Sequence, residues 1–375
     1  MPHPPKVAII YLTYNGKDSY TDITRCFRSL ERMDYPKDAV EVICVENPSP
    51  HGASWPFIER EWMPRAGTTF PRLTIIRNER DLGYAGANVV GTDAARARDC
   101  AYAFLLNQDA DVDVRFLRNA VERAECDPKV GVVQSLVLLG QDRDRVNSVG
   151  NRYHFLGYGY SGGYQWTRAE AETFLARERT RNPNLEVPYA SGAAVLVRLA
   201  MVDAIGLFDP AFYMYHEDVD VTFNARVHGW RVVIEPTSVV YHYYQFTKSI
   251  KKFYWMERNR YVTLLTYYRL PTLLLLALPF LAVELGSFLV STRSGWWREK
   301  LRAWRFMLHG STWQWIWQRR RRIQRERRIS DRTLLRWAEG RILFQEGDAS
   351  GGLITRIANP IMAMTWKVLY FLIRW

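Results

Sequence analysis

The chain has 375 residues, 48% hydrophobic and 24% charged, with a formal net charge of +12. This composition excludes a disordered or fibrous chain and leaves room for one large α/β domain with further elements. The charge is placed unevenly: residues 293–375 carry 18 Lys and Arg against 6 Asp and Glu, and the first 292 residues are balanced, which argues against nucleic acid as a partner and for a tail that meets anionic lipid.

Residues 6–140 alternate short apolar runs with amphipathic stretches. Val7–Thr13, Val40–Val45, Leu73–Arg77, Ala101–Leu106 and Val130–Leu139 read as buried strands, with helices at Ile23–Met33, Ala85–Arg98 and Val114–Cys126. Continuous apolar strands separated by helices predict an α/β fold with a mostly parallel sheet covered on both faces. Ligands of such sheets bind beyond the carboxyl ends of the strands. The first strand runs directly into a turn, with no basic stretch leading a long apolar one, so the expectation is a chain without a signal peptide, working in the cytoplasm. Cys26, Cys44, Cys100 and Cys126 form no C-x-x-C pair, which excludes the common zinc and redox motifs.

Further along, the Gly/Tyr-rich stretch 157–164 predicts a flexible connection, and Thr167–Asn184 a mobile loop or short helix. Val187–Val197 reads as a strand, Glu217–His228 as a helix and Arg231–Glu235 as a strand. Phe246–Tyr268 is helical, aromatic and basic, Leu270–Val290 is strongly apolar, residues 293–341 are rich in Trp and Arg, and Ile361–Trp375 is apolar again. The expected division is a catalytic domain over 1–245 and a helical, membrane-associating region over 246–375.

Each strand delivers polar residues at its carboxyl end: Thr13 and Asn15, then Glu46, then Asn78 followed by Gly83 and Asn88, then Asp109 and Asp111. The Gly83-x-x-Gly86 spacing lacks the first glycine of a dinucleotide fingerprint, against a dehydrogenase. Two carboxylates one residue apart after a buried strand are costly unless neutralised. A hard divalent cation, Mg²⁺ or Mn²⁺, would do this and would bridge to substrate phosphates; helix capping is the simpler alternative. His242, after a strand-like run, could join that site. The acidic run Glu217-Asp218-Val219-Asp220 starts a helix. Acids there either complement the helix dipole or supply a base for an acceptor hydroxyl.

Together these residues resemble the family 2 glycosyltransferases of GT-A fold, in particular the rhamnosyltransferase-like branch. The resemblance runs through Thr13-Tyr-Asn15, Glu46-Asn, Asn78, Gly83-Tyr-Ala-Gly-Ala-Asn88, Asn107-Gln-Asp109-Ala-Asp111, Ser191-Gly192-Ala193, Ile205-Gly-Leu-Phe-Asp-Pro through His216-Glu217-Asp218-Val-Asp220, Arg226, Gly229-Trp230 and His242. It implies an inverting transfer from a nucleoside-diphosphate sugar to a lipid-linked or glycan acceptor. Thr13, Asn15, Glu46, Asn78, Gly83 and Asn88 would line the nucleoside pocket, with Asp109 near ribose and phosphate. Asp111 and His242, with Asp109, would hold the cation. Asp218, beside Glu217, would be the base, and Ser191-Gly192-Ala193 the floor under the sugar. Glu46 stands where the family usually has Asp, and Val89 where a second Asn is common.

The 21 positions of Leu270–Val290 match the ~20 residues of a bilayer crossing. Pro271, Pro279 and Glu284 interrupt them, so the expectation is a helix partly embedded in one leaflet, with Ile361–Trp375 too short to cross. Trp313–Arg328 is expected at lipid headgroups. Lys248, Lys251, Lys252, Arg258, Asn259 and Arg260 are candidates to meet an acceptor diphosphate. The enzyme is thus expected at the cytoplasmic face of the membrane.

Overall fold

The computed structural model describes residues 4–243, 250–342 and 351–375, with backbone only for 351–355. In chain order its elements are β1 (Val7–Tyr14), α1 (Ser19–Glu31), β2 (Val40–Asn47), α2 (Trp55–Glu61), β3 (Arg72–Arg77), α3 (Gly83–Arg96), β4 (Tyr102–Leu106), β5 (Ala110–Val112), α4 (Phe116–Glu125), β6 (Val130–Leu139), β7 (Asp142–Ser148), β8 (Arg152–Tyr153), β9 (Gly159–Tyr160), α5 (Arg168–Arg181), β10 (Ala194–Arg198), α6 (Leu199–Ile205), α7 (Glu217–Val227), β11 (Arg231–His242), α8 (Lys252–Tyr267), α9 (Leu270–Arg293), α10 (Trp297–Phe306), α11 (Gly310–Glu326), α12 (Asp331–Leu334) and α13 (Gly351–Leu372).

These elements form two compact units. The first holds residues 1–151, 161–213 and 230–244, and the second holds 152–160, 214–229 and 245–375. A single cut after residue 245 therefore does not describe the packing: α7 and the β8–β9 hairpin belong with the C-terminal helices. The reason lies in buried polar pairing. Asp220 on α7 is bonded to Arg319 of α11 and accepts the Tyr267 hydroxyl of α8 at 2.9 Å.

The first unit is built on a nine-stranded sheet of order β3-β2-β1-β4-β10-β6-β11-β5, with β7 added on β6. β1, β2, β3 and β4 are mutually parallel, and β10 enters antiparallel between β4 and β6. Every residue of β2, β4 and β6 is buried, as a strand covered on both faces requires. The predicted strand at 187–197 shortens to β10, because residues 187–193 leave the ladder to form a turn. The segment 167–184 is an ordered helix, α5, started by a reciprocal capping box between Thr167 and Glu170.

The second unit is helical. Glu284, one turn past Pro279 in α9, is fully compensated: it pairs with Arg260 and with Lys300 at 2.9 Å, and accepts from Tyr261 at 2.6 Å and Trp304 at 3.0 Å. Glu257 closes the group through Arg260 and Lys300, each at 2.7 Å. Two cations and two acids with full hydrogen bonding tolerate burial that a lone charge would not. Pro271 sits in the first turn of α9, where its missing N–H costs nothing. Two of the three expected interruptions of the apolar run are thereby accommodated. α9 keeps an exposed stripe of Leu270, Leu274, Leu278, Leu281, Leu285 and Leu289, at the 3–4-residue spacing of one helix face.

Arg260, 1% exposed, is committed to this cluster, which removes it from any acceptor contact. Asn259 donates to the carbonyls of Met214 at 3.0 Å and Tyr215 at 2.6 Å. Lys248 lies outside the described residues. The Arg-rich run also turns partly inward. Arg320 donates to the carbonyls of Leu265 and Tyr268 at 2.6 and 2.5 Å, and Gln324 to those of Thr266 and Tyr267 at 3.1 and 3.0 Å. These are the last carbonyls of α8, where cations satisfy orphan acceptors and complement the dipole.

Two buried histidines in this unit give it an acid sensitivity. Burial, helped by the nearby Arg260 charge, lowers His154 and His216 from 6.5 to about 3. The unfolded chain binds protons here that the folded one refuses. This stability is therefore complete above about pH 6.5 and is lost as pH falls toward 3, by roughly 2–3 kcal/mol per histidine at pH 4.5. Urea midpoints should drop between pH 7 and pH 4.5, and the drop should be smaller in His154→Gln; an unchanged slope would remove His154 as a cause.

Candidate active site

The polar ends of β1, β2 and β4 in the first unit converge through hydrogen bonds. Asn15 donates to the His51 carbonyl at 2.9 Å, and the Asn15 carbonyl accepts from Ser49 at 2.6 Å. Glu46 is buried, and its two carboxylate oxygens accept the backbone N–H groups of Ser54 at 2.6 Å and Trp55 at 2.8 Å. Burial raises its pKa against those bonds and the Arg77 charge. The extra methylene relative to Asp is spent on anchoring the loop before α2. Thr13 is fully buried, and its hydroxyl has no partner among the described residues.

The α3 turn is organised by Asn47, to which no role is assigned from sequence. Its side-chain oxygen accepts from Asn78 at 2.9 Å and Leu82 N–H at 3.3 Å, and its amide donates to the Gly83 carbonyl at 3.1 Å. Asn88 donates to the Tyr84 carbonyl one turn back at 2.9 Å. Gly83 has φ +65°, and a Cβ there would lie 2.4 Å from the Tyr213 carbonyl oxygen. Tyr213 is clamped by Ala85 N–H at 2.9 Å and by Asp81 at 2.6 Å. Gly83→Ala should therefore cost about 1–3 kcal/mol or more from backbone strain and displace the Tyr213 turn. A thermal midpoint equal to wild type would refute that reading.

Ser191-Gly192-Ala193 is tied into the same region. Ser191 N–H donates to Gln134 at 2.8 Å, Tyr84 donates to the Gly192 carbonyl at 2.6 Å, and Asn107 N–H donates to the Ala193 carbonyl at 3.0 Å. Just beyond Asn107, Asp109 Oδ1 lies 3.0 Å from His242 Nε2.

The protonation of that ring is set by its neighbours. Nδ1 faces the Asn147 side-chain oxygen at 3.2 Å and so carries the hydrogen, while Asn107 offers its amide to Nε2 at 3.3 Å. The ring nitrogen and the carboxylate oxygen face each other at hydrogen-bond distance, a pair that a ring proton joins and that a divalent cation could bridge in its place. Two adjacent ligands of an octahedral ion with bonds of about 2.1 Å are themselves about 3 Å apart. The outer Nδ1–H bond to Asn147 is the orienting contact that metal-bound histidines use. The pair thus fits a divalent cation. Among the described residues no group of three or more His, Cys, Asp and Glu is arranged for a metal.

Asp111 does not join it. In the β5–β11 pairing Asp111 is opposite Tyr241, and His242 is opposite Ala110. Neighbouring residues of a strand point to opposite faces, so Asp111 looks away from His242. Its carboxylate instead takes Arg143 at 2.8 Å, and burial raises its pKa against the pull of Arg143 and Arg25. Of the three residues expected to share a cation, the structure brings Asp109 and His242 together and sets Asp111 apart, with Asn107 and Asn147 as the contacts of the ring that sequence reading missed. Asp113 accepts Arg115 N–H at 3.0 Å in the turn before α4, whose N-cap is Arg115 with no side-chain capping bond.

In the second unit, α7 begins after two consecutive left-handed residues, Tyr215 at φ 65° and His216 at φ 67°. For non-glycine residues this conformation is strained, and Asn259 pins it through the two carbonyls given above. Glu217 follows, buried, with Oε2 lacking a partner among the described residues. Burial first, then the Asp218 charge, raises its pKa well above the usual carboxylate range. Asp218 is half-buried, and its Oδ1 accepts its neighbour's N–H, from Val219, at 2.8 Å. Arg226 stacks on Trp337, 3.9 Å from the ring centre.

Residues 2–263 match the model of the family described as glycosyltransferase like family 2. Over 137 residues the chain is 28% identical to the N-acetylglucosaminyl-diphospho-decaprenol L-rhamnosyltransferase of Mycobacterium tuberculosis strain H37Rv. That stretch spans 36% of this chain and only 38% of the relative. Among solved structures, GalNAc-T7 with UDP, GalNAc and Mn²⁺ superposes with a TM-score of 0.55 at 14% identity, covering 71% of this chain and 49% of that one. The mannosyltransferase PcManGT from Pyrobaculum calidifontis, with GDP-Man and Mn²⁺, aligns over 98% of this chain and 85% of its own at 18% identity and a TM-score of 0.49. The likeness to GalNAc-T7 establishes a GT-A-like α/β fold, and the family match, extending over more than half of the residues, makes the chain a glycosyltransferase that belongs to the family-2-like glycosyltransferases.

Proposed function

We propose that this glycosyltransferase moves a sugar, with inversion, from a nucleoside-diphosphate sugar of the dTDP-rhamnose or UDP-sugar kind to a hydroxyl of a lipid-linked or cell-envelope glycan. The observation that carries this reading is the Asp109–His242 pair, whose carboxylate oxygen and ring nitrogen, 3.0 Å apart, could hold a cation where a donor diphosphate would lie. The relatives' printed names support the chemistry, since one is an L-rhamnosyltransferase on a diphospho-decaprenol and another was crystallised with UDP and Mn²⁺. When bound, Mg²⁺ or Mn²⁺ would offset the charge of the leaving diphosphate. Asp109 and His242 hold that position, Asn147 fixes the ring, and the orphaned Thr13 hydroxyl and Asn15 line the nucleoside side. Ser191-Gly192-Ala193 supports the sugar. Asp218 removes the proton of the attacking hydroxyl. One base and one leaving group suffice for a single displacement.

The acceptor side of the proposal is a membrane, at its cytoplasmic face. α9 is the one helix among the described residues long and apolar enough to cross, with mean hydropathy 2.3 and 11% of its window buried. Its leucine stripe, the exposed Ile357, Ile361, Met364, Val368 and Phe371 of α13, and Trp313 and Trp317 of α11 are the apolar and aromatic surfaces that interfacial helices present to lipid. Compensation of Glu284 suits a helix lying in one leaflet with its charged side against protein.

The test is a panel of nucleotide sugars scored by thermal stabilisation with Mn²⁺ present, followed by transfer assays with the best donor. One nucleotide should raise the midpoint in a cation-dependent way, and transfer should stop in EDTA and return with Mn²⁺ or Mg²⁺. Full transfer in chelator would overturn the cation reading, and movement of phosphate in place of sugar would overturn the reaction.

A further inference from the structure

The first unit carries a basic concavity that the donor site does not use. It is an open concavity of 530 Å³, lined by Arg25 and Arg28 of α1, Arg32 at the C-cap of that helix, Arg143 of β7, Asp111 of β5 and the ring of Tyr20, among others. Arg25, Arg28 and Arg32 recur at helical spacing along α1 and its C-cap; Arg25 and Arg143 pair with Asp111, and Arg25 also with Asp22. Arg28 and Arg32 have no ion-pair partner among the described residues. Tyr20, 48% exposed at the rim, stacks on Phe57 at 4.6 Å and offers a flat apolar surface.

The centre of the concavity holds an unsatisfied pair. Asp111 is 8% exposed, and its Oδ1 lies 4.0 Å from Arg25 Nε. Both atoms are buried, and neither has a hydrogen-bond partner among the described residues. Four ångströms is too long for a direct bond and short enough for one oxygen to bridge. A hydroxyl is the group that donates to Oδ1 and accepts from Nε at once. Around it, Arg28 and Arg32, which no carboxylate neutralises among the described residues, and Arg143, held by Asp111, present the guanidinium N–H groups that bind phosphate oxygens. Because Asp111 points away from His242, this chemistry is separate from that of the cation pair.

We propose that this concavity is a second ligand site, for a phosphorylated sugar: phosphate on Arg28, Arg32 and Arg143, a sugar hydroxyl between Asp111 and Arg25, and the ring edge against Tyr20. The phosphate could be borne by a soluble sugar or by a lipid headgroup that also carries hydroxyls.

The experiment uses the full chain in EDTA, which keeps divalent cations out of the donor site. α-D-glucose 1-phosphate and inorganic phosphate are titrated calorimetrically against wild type and an Arg28→Gln/Arg32→Gln double variant, whose two positions are exposed on α1 and at its C-cap and whose folding circular dichroism checks. Wild type should bind glucose 1-phosphate at least threefold more tightly than inorganic phosphate, and the double variant should lose tenfold or more for both. Sedimentation with phosphatidylglycerol vesicles gives the source: retention that falls in the double variant assigns a lipid phosphate, and unchanged retention with lost glucose 1-phosphate binding assigns a soluble one. Absence of wild-type binding, or equal affinity in the double variant, overturns the site. Equal affinity for the two probes overturns its sugar specificity.

Discussion

Replacing Asp218 with Asn is expected to lower kcat by about 10²–10⁴-fold, or roughly 3–5 kcal/mol in the barrier, with donor affinity and thermal midpoint unchanged. The substitution keeps the side-chain oxygen that accepts Val219 N–H, so the start of α7 has no structural reason to move. What it removes is the charge of the more solvated acid of the pair. Glu217 is buried, and both its burial and its neighbour's charge favour the protonated form. Glu217→Gln replaces a protonated acid by a neutral isostere and should stay within tenfold of wild type. The two variants thus separate the roles: a base shows a collapse of kcat at Asp218 alone. Turnover of Asp218→Asn within fivefold of wild type would hand the proton to another residue, and equal losses in both variants would make the pair a structural cap on α7.

The parts of this molecule that could be read from sequence are those decided by local pattern. β2, β4 and β6 are legible because strands covered on both faces must be apolar throughout, and their ends then fall within a residue or two of the apolar runs. Thr167 and Glu170 carried a capping-box signal that separates a helix from a loop. The parts that resisted depend on pairing across long stretches of chain. Whether Asp111 can meet His242 is settled by the register of three-residue β5 against β11, 130 residues away in sequence, since a slip of one residue would turn Asp111 to the His242 face, while Asp109 reaches His242 from the turn before β5. Glu284 looks like an obstacle until Arg260 and Lys300 are seen beside it. The arginine run of α11 has the composition of a solvated face, yet Arg319 and Arg320 point inward to Asp220 and to the end of α8. A charge pattern fixes neither its partner nor its direction.

The register argument leads to the sharpest test of the cation site. Mn²⁺ affinity, measured by electron paramagnetic resonance in the presence of nucleotide, should weaken about 100-fold or more in Asp109→Asn and in His242→Leu, since each removes one of the two proposed protein ligands. Asn147→Leu should cost about 10–100-fold, the usual effect of removing a group that orients a metal-bound histidine. Without that oxygen the ring hydrogen is free to move to Nε2, where it would block the ligand position. Asp111→Asn should leave Mn²⁺ affinity unchanged, because its carboxylate serves Arg143 on the other face of the ladder. Transfer should follow the same order, with the Asp109 and His242 variants losing several kcal/mol of barrier lowering. A carboxylate two residues away on the wrong face is the natural control, since a general loss of negative charge would affect both acids alike. Loss of Mn²⁺ binding in Asp111→Asn with retention in Asp109→Asn would reverse the assignment and, with it, the register of β5 on β11.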